Sequence, residues 1–191
     1  MNNSSLQTTL PAYRPVSYSR VTLTELMIPS YANFGGKIHG GILLSLMDKV
    51  AYAAASKHAG TYCVTVSVDG VNFMKPVEVG ELVSLMASVN YVGRTSLLVG
   101  IKVTAEDVRT GTVKHTNTCY FTMVAKDDEG RPAVVPGLRL ETTEDTRRFL
   151  EAIKRREFKE QYNREFDNAR TRLTVERQLH LLEKERCQIG Y

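Results

Sequence analysis

Apolar and polar residues alternate along five stretches of the chain, and a helical repeat replaces that alternation in two others. In "SRVTLTELMI", Val21 and Leu23 alternate with Thr22 and Thr24, the period of a half-buried strand. Pro29 ends that run. "TYCVTVSVDGVNF" sets Val64, Val66 and Val68 against Thr65, Ser67 and Asp69. "ELVSLMASVNYV", "RTSLLVGIKVTAEDV" and "TVKHTNTCYFTMVAK" predict three further strands. Turn residues separate them: Pro76 and Gly80, then Gly93, then Gly111 in "RTGT". Links this short predict antiparallel pairing.

Between the first and second strands lies "ANFGGKIHGGILLSLMDKVAYAAASKH". A helix is predicted from His39–Gly41 to about His58, free of proline and stopped by Gly60. It is apolar on almost every side, which predicts burial all round. The simplest way to bury it is a five-stranded antiparallel sheet curved around it. That makes an α+β domain over residues 18–140. Residues 1–17 read as a flexible polar arm. From Thr142 the character changes to dense charge of both signs, with Phe149 and Ile153, then Phe158, Tyr162 and Phe166, at four-residue spacing. This predicts a charged helical extension over residues 141–191, capped by Thr142 or Thr143 and broken at most once.

Composition narrows the class. The chain has 191 residues, 42% of them apolar, enough for one cored domain with an appendage. A formal net charge of +4 is mild, and nucleic-acid binding would call for a denser basic patch. Cys63, Cys119 and Cys187 form no close pair, so neither a disulfide framework nor a zinc site is expected. The polar start "MNNSSLQTTLPAY" has no signal-peptide core, and no apolar run is long enough to span a membrane. A cytoplasmic protein without membrane or nucleic-acid partners is the expectation. His39, His58, His115 and His180 are scattered without ligand spacing, so no metal and no cofactor is expected.

Asp48 is the first candidate for chemistry. An ionised carboxylate among Leu46, Met47, Val50 and Ala51 is costly unless it has a partner or a task. Its helical neighbours are Leu44, Ala51 and Tyr52, while Lys49 is expected to point elsewhere. The plain alternative is an ordinary surface acid. The second candidate is the helix start "GGKIHGG", whose backbone N–H groups suit a carbonyl oxygen gaining negative charge. Asn33, just upstream, carries an amide that can orient water or donate to an oxyanion; its plain reading is a turn residue. Asp48 lies roughly 10–12 Å along the helix from Gly40 and Gly41. One chain does not easily bring both onto a single reacting atom, which must lie within about 3 Å of each. Two chains about a two-fold axis can, and would form two shared sites.

The stretch 32–58, followed by "CVTVSVDGVNFMKPVEVGELV", "NYVGRTSLLVGIKV" and "TGTVKHTNTCYFTMVA", resembles the hotdog-fold acyl-CoA thioesterases. It is most similar to the cytosolic acyl-CoA hydrolase group, with its YciA-type bacterial enzymes and tandem-domain brain acyl-CoA hydrolase. The likeness covers about residues 20–137. It implies release of coenzyme A from a fatty acyl thioester. It also implies catalysis by Asn33 and by Asp48 contributed across a dimer interface, with His39, Gly40 and Gly41 receiving the carbonyl. Gly93, Arg94, Thr95 and Ser96 would lie near coenzyme A. Dimers would be the minimal active unit and would assemble into trimers of dimers. The tail from Phe158 to Tyr191 has no counterpart in the shorter members. Two alternatives remain: a hotdog hydratase or dehydratase, and an acyl-CoA-binding module without turnover.

Overall fold

A computed structural model describes residues 12–191. They fall into two compact units that divide between Ala152 and Ile153. In the first, β1 (Tyr13–Pro15) and the short helix α1 (Val16–Ser19) precede β2 (Val21–Leu26) and the long helix α2 (Gly40–Ala59). Then come β3 (Tyr62–Val68), β4 (Glu81–Val92), β5 (Ser96–Asp107), β6 (Thr112–Lys126) and β7 (Gly137–Arg139). Helix α3 (Thr143–Arg172) starts in the first unit.

The predicted helix-wrapped sheet is present: five antiparallel strands in the order β2-β4-β5-β6-β3. Val83, Leu85, Val99, Ile101, Val103, Phe121 and Met123 project from its inner face and are essentially inaccessible. Met47, Val50, Ala51, Ala54 and Ala55 of α2 pack onto them. The alanines let the helix axis lie close to the sheet. Each large apolar side chain buried here stabilises the fold by roughly 1.5–3 kcal/mol.

The helix ends as its sequence predicts. Gly60 takes φ 76°, a left-handed angle that suits glycine, and donates its N–H to the Ser56 carbonyl at 2.8 Å. Arg14 adds what the sequence did not reveal. Its Nη1 donates to the carbonyls of Lys57 (2.9 Å) and His58 (2.6 Å), placing a cation at the negative end of the helix.

Three expectations change. Of the arm expected over residues 1–17, residues 1–11 lie outside the described residues. Its remainder is ordered: Tyr13–Pro15 pairs in parallel with Gly137–Arg139, a two-stranded sheet with too few residues to show a period. Helix α2 is not buried all round, because Leu44, Asp48, Lys49 and Tyr52 lie on an exposed face. Lys49 therefore shares a face with Asp48, where the sequence reading sent it elsewhere.

Thr142 caps α3 as expected. Its Oγ1 accepts from the Asp145 N–H at 3.1 Å, and Asp145 Oδ2 accepts from the Thr142 N–H at 3.1 Å, a reciprocal capping box. The second unit, from Ile153, contains the rest of α3, a single break after Arg172, the short helix α4 (Val175–Gln178) and a 3-10 turn over Leu179–Lys184. Phe158, Tyr162 and Phe166 form an exposed stripe, with the last two rings stacked at 5.8 Å. Among the described residues no helix is long and apolar enough to cross a membrane.

Candidate active site

The loop before α2 is a rigid cradle. Asn33 Oδ1 accepts from the Gly35 N–H (2.8 Å) and the Lys37 N–H (3.2 Å). Gly36 permits the turn by taking φ 76°. Lys37 Nζ donates to both carboxylate oxygens of Glu78 (2.7 and 2.8 Å), and the Ile38 N–H donates to the Val77 carbonyl at 2.9 Å. The Gly35 and Lys37 N–H groups thus engage the amide oxygen of Asn33 and fix its plane. The NH2 group is the part left to meet a ligand. Asn33 is thus both the turn residue of the plain reading and an exposed, oriented donor.

His39 is the N-cap of α2. Its Nδ1 accepts from the Gly41 N–H at 2.9 Å. A Cβ on Gly41 would lie 2.9 Å from that nitrogen, so the ring reaches its donor only over a glycine. The sequence reading offered the backbone of both Gly40 and Gly41 to a carbonyl oxygen. In the fold the Gly41 N–H is already engaged by the histidine ring. The Gly40 N–H, first in the helix, has no intrahelical partner by geometry and faces the same end. A Cβ there would touch the exposed Phe73 ring at 3.5 Å.

Asp48 lies two turns further along α2. Its Oδ1 accepts from the Thr65 hydroxyl at 2.6 Å, a short bond to an ionisable group. Thr65 stands on β3, an edge strand, beside an irregularity in register between Thr65 and Ser67. Sequence reasoning took Thr65 as the polar partner in a strand's alternation. Only the crossing of α2 over β3 brings it to Asp48, 17 positions earlier in the chain. A trough of about 320 Å³ opens here. Asp48 and Thr65 line it together with Cys63, Val64 and Met123, and Lys49 reaches it as well. Tyr52, one turn beyond Asp48, meets Tyr62 of β3 with ring centroids 5.9 Å apart, and both rings line the trough. Burial pushes the Cys63 thiol up from its ordinary pKa, so it is a poor nucleophile at neutral pH.

Within one chain, Asn33 and the helix start form one group, and Asp48 with Thr65 forms another. Among the described residues no hydrogen bond or ion pair joins them. The Arg94–Ser96 turn links β4 to β5, with the Arg94 and Thr95 carbonyls bonded to the N–H groups of Val135 (3.0 Å) and Ala125 (2.9 Å). Ser96 pairs with Val124, which pairs with Val64 next to Thr65. The turn is therefore two strand spacings, about 10 Å, from Val64 on β3, with Met123 of β6 between them lining the trough.

Comparison with known proteins places this geometry. Residues 35–112 match the model of the thioesterase superfamily. The protein VdlD of Helicobacter pylori is 45% identical over 141 residues, 74% of this chain and 80% of VdlD. The uncharacterized acyl-CoA thioester hydrolase YkhA of Bacillus subtilis is 34% identical over 76% of this chain and 84% of its own. An apo-hexameric acyl-CoA thioesterase superposes with a TM-score of 0.77 at 35% identity, over 80% of this chain and 98% of that one. An acyl-CoA hydrolase from Staphylococcus aureus, solved with butyryl coenzyme A and coenzyme A, gives 0.75 at 30% identity, over 82% and 96%. It has also been solved with an asparagine, an aspartate and a threonine each replaced by alanine. In that protein the aspartate follows the asparagine by 15 positions and the threonine follows the aspartate by 17. Asn33, Asp48 and Thr65 have the same separations.

Proposed function

The chain belongs to the thioesterase superfamily, as a hotdog-fold acyl-CoA thioester hydrolase, and we propose that its reaction centre is shared between two copies. The observation that carries this is the separation of the two half-sites. Asn33 and the start of α2 are fixed in one place, and Asp48 with Thr65 in another, all on exposed surface. A second copy brings the missing half to each. The surface around Asp48 suits such a partner, because Leu44, Tyr52, Tyr62 and Val66 are exposed apolar side chains beside an open edge strand. Dimers are the minimal active unit in this reading, assembled further as trimers of dimers; hexameric relatives support the larger assembly.

The substrate is a fatty acyl-CoA, and the products are the free acid and coenzyme A. The Asn33 amide and the Gly40 N–H point donors at the thioester oxygen, where negative charge grows as the carbonyl carbon becomes tetrahedral. Asp48 of the partner copy takes a proton from the attacking water, or attacks the carbonyl carbon itself to give an anhydride that water then opens. In both routes the C–S bond breaks and the thiolate leaves to take up a proton. Thr65 holds one oxygen of Asp48 and leaves the other for that task. In this reading Arg94, Thr95 and Ser96, on the β4–β5 turn outside the trough's lining, are assigned to the coenzyme A part of the substrate. A hydratase would need a histidine beside Asp48; His58 instead is fully buried, with Nε2 bonded to the Pro136 carbonyl at 3.0 Å.

Subunit mixing tests the shared site. Asp48→Ala and Asn33→Ala proteins, each inactive alone, are unfolded together, refolded, and assayed for thiol release. Mixed dimers hold one intact site, so up to about half of the dimers regain one active site each. Mixed assemblies that stay as inactive as their parents would sink the proposal.

A further inference from the structure

We propose that the outer face of the sheet carries a second site, for a phosphate-bearing small molecule. A cavity of about 560 Å³ lies there, larger than the trough at Asp48 and of a size that suits small ligands. Its lining places it on the side away from α2. Met86, Ser88, Lys102, Thr118 and Tyr120 alternate with the core residues Leu85, Ala87, Val89, Ile101, Cys119 and Phe121, so they point outward. A ligand held at Asp48 of the same chain is separated from this cavity by the sheet itself.

Its charge has one sign. Arg20, Lys102, Arg147 and Arg148 line the cavity, and no carboxylate does. Three acids stand nearby and orient the guanidinium groups. Glu144 accepts from Arg147 Nη2 (2.6 Å) and Arg148 Nε (2.8 Å), Glu151 accepts from Arg147 Nη1, and the buried Asp145 accepts from Arg20 Nη2 (3.3 Å). A guanidinium has five N–H donors. Arg148 spends only its Nε on Glu144, and Lys102 forms no ion pair among the described residues. The arrangement is therefore a set of pre-oriented cations with donors to spare, the chemistry that recognises phosphate oxygens.

The floor is built rather than incidental. The register of β4 against β5 slips between Val89 and Tyr91, leaving Asn90 as the extra residue of a bulge. Its side chain turns over Gly100, where a Cβ would come within 2.0 Å of Asn90 Oδ1. Asn90 is 5% exposed and donates to the Ser88 hydroxyl at 3.1 Å. Only a glycine on β5 admits this polar floor. The hydroxyls of Ser88, Thr118 and Tyr120 complete the polar part of the lining, beside the apolar Val21 and Met86.

The test is calorimetric titration of the full-length protein with pyrophosphate, ADP and adenosine, at 50 and 200 mM salt. Pyrophosphate or ADP should bind, more weakly at the higher salt, and adenosine should not. Binding by both anions identifies an inorganic polyanion as sufficient; binding by ADP alone identifies a nucleotide. Lys102→Ala and Arg148→Ala should each weaken binding at least about tenfold, the loss expected for one charge-assisted hydrogen bond. Lys102 is a strand residue with an exposed side chain, so its variant folds whatever happens at Arg148. Arg94→Ala, on the turn assigned to coenzyme A, is the control. The proposal is overturned if neither anion binds, if both cavity variants bind like the parent, or if only Arg94→Ala reduces binding. Thiol release from acyl-CoA is measured in parallel, so loss of the thioesterase reading and loss of this one are told apart.

Discussion

Helices α2 and α3 are the two long helices of this chain, and they are held by opposite means. Along α2, the residues facing the sheet are inaccessible, and the helix is stabilised by burial. Along α3, which is 30 residues long, only Asp145 and Ala152 are buried. Beyond the capping box at Thr142 and the Phe149 ring against Tyr91 (centroids 5.0 Å apart), its support comes from charge pairs one turn apart: Arg147 with Glu144 and Glu151, Arg148 with Glu144, Lys154 with Glu157, and Arg156 with Glu160. Such solvent-screened pairs each contribute far less than one buried large apolar side chain, at ~1.5–3 kcal/mol. A helix held by burial can afford a polar interruption on its uncovered face. On α2 that face carries Asp48, and the proposed chemistry lives there.

The largest effect expected from breaking this contrast is at the bond that holds the acid. Thr65→Val keeps the shape of the side chain and removes the hydroxyl that donates to Asp48. Loss of a hydrogen bond to a charged group costs about 1.5–3 kcal/mol, which is about 10- to 150-fold in kcat. Thr65→Ser restores the donor and should recover most of the rate. Steady-state kinetics on both variants decides it. A Val variant within twofold of the parent, or a Ser variant as slow as the Val variant, would show that Thr65 does not position the acid.

Next in size is the end of α2. Arg14 reaches from β1 to the Lys57 and His58 carbonyls, and its guanidinium also stands over the Tyr18 ring at 5.0 Å. Arg14→Ala removes the cation and both bonds. Because the group is only half-buried, the loss is about 1–2 kcal/mol, read as a lower denaturation midpoint with unchanged slope. Arg14→Lys should retain part of it. No change in midpoint would mean that the carbonyls at this end are satisfied equally well by water.

These two sites also mark how far the sequence could be read. The five strands, α2 and its stop at Gly60 were legible because each is set by a local period and a turn residue. Asn33, Asp48 and the helix start were legible from an acid out of place, from glycines at a helix start, and from family resemblance. Thr65 was not, because its role depends on which strand α2 crosses. Nor was the exposed face of α2: so apolar a helix reads as buried all round, yet only its sheet-facing side is covered, and Leu44 and Tyr52 stay exposed. β1 and β7 are three residues each and are paired across more than a hundred positions. Asn90 and Gly100 each look ordinary within their strands; the bulge that joins them is a property of register.

The smallest effect is expected on α3. Glu144 accepts from both Arg147 and Arg148, and these two guanidinium groups hold its carboxyl at about 2. Its folded pKa therefore lies below the ordinary carboxylate value of 4.5. The stabilisation is present in full above that ordinary value and is lost as the pH falls from about 4.5 toward 2. The groups are exposed, so salt screens the pairing and the effect on stability is slight. Glu144→Gln should lower the thermal midpoint at pH 7 by less than Arg14→Ala does, and the difference from the parent should shrink in high salt and vanish near pH 2. A shift at pH 7 as large as that of Arg14→Ala, insensitive to salt, would mean that α3 depends on Glu144 for packing. The contrast between a helix held by burial and one held by surface charge would then fail at its weaker end.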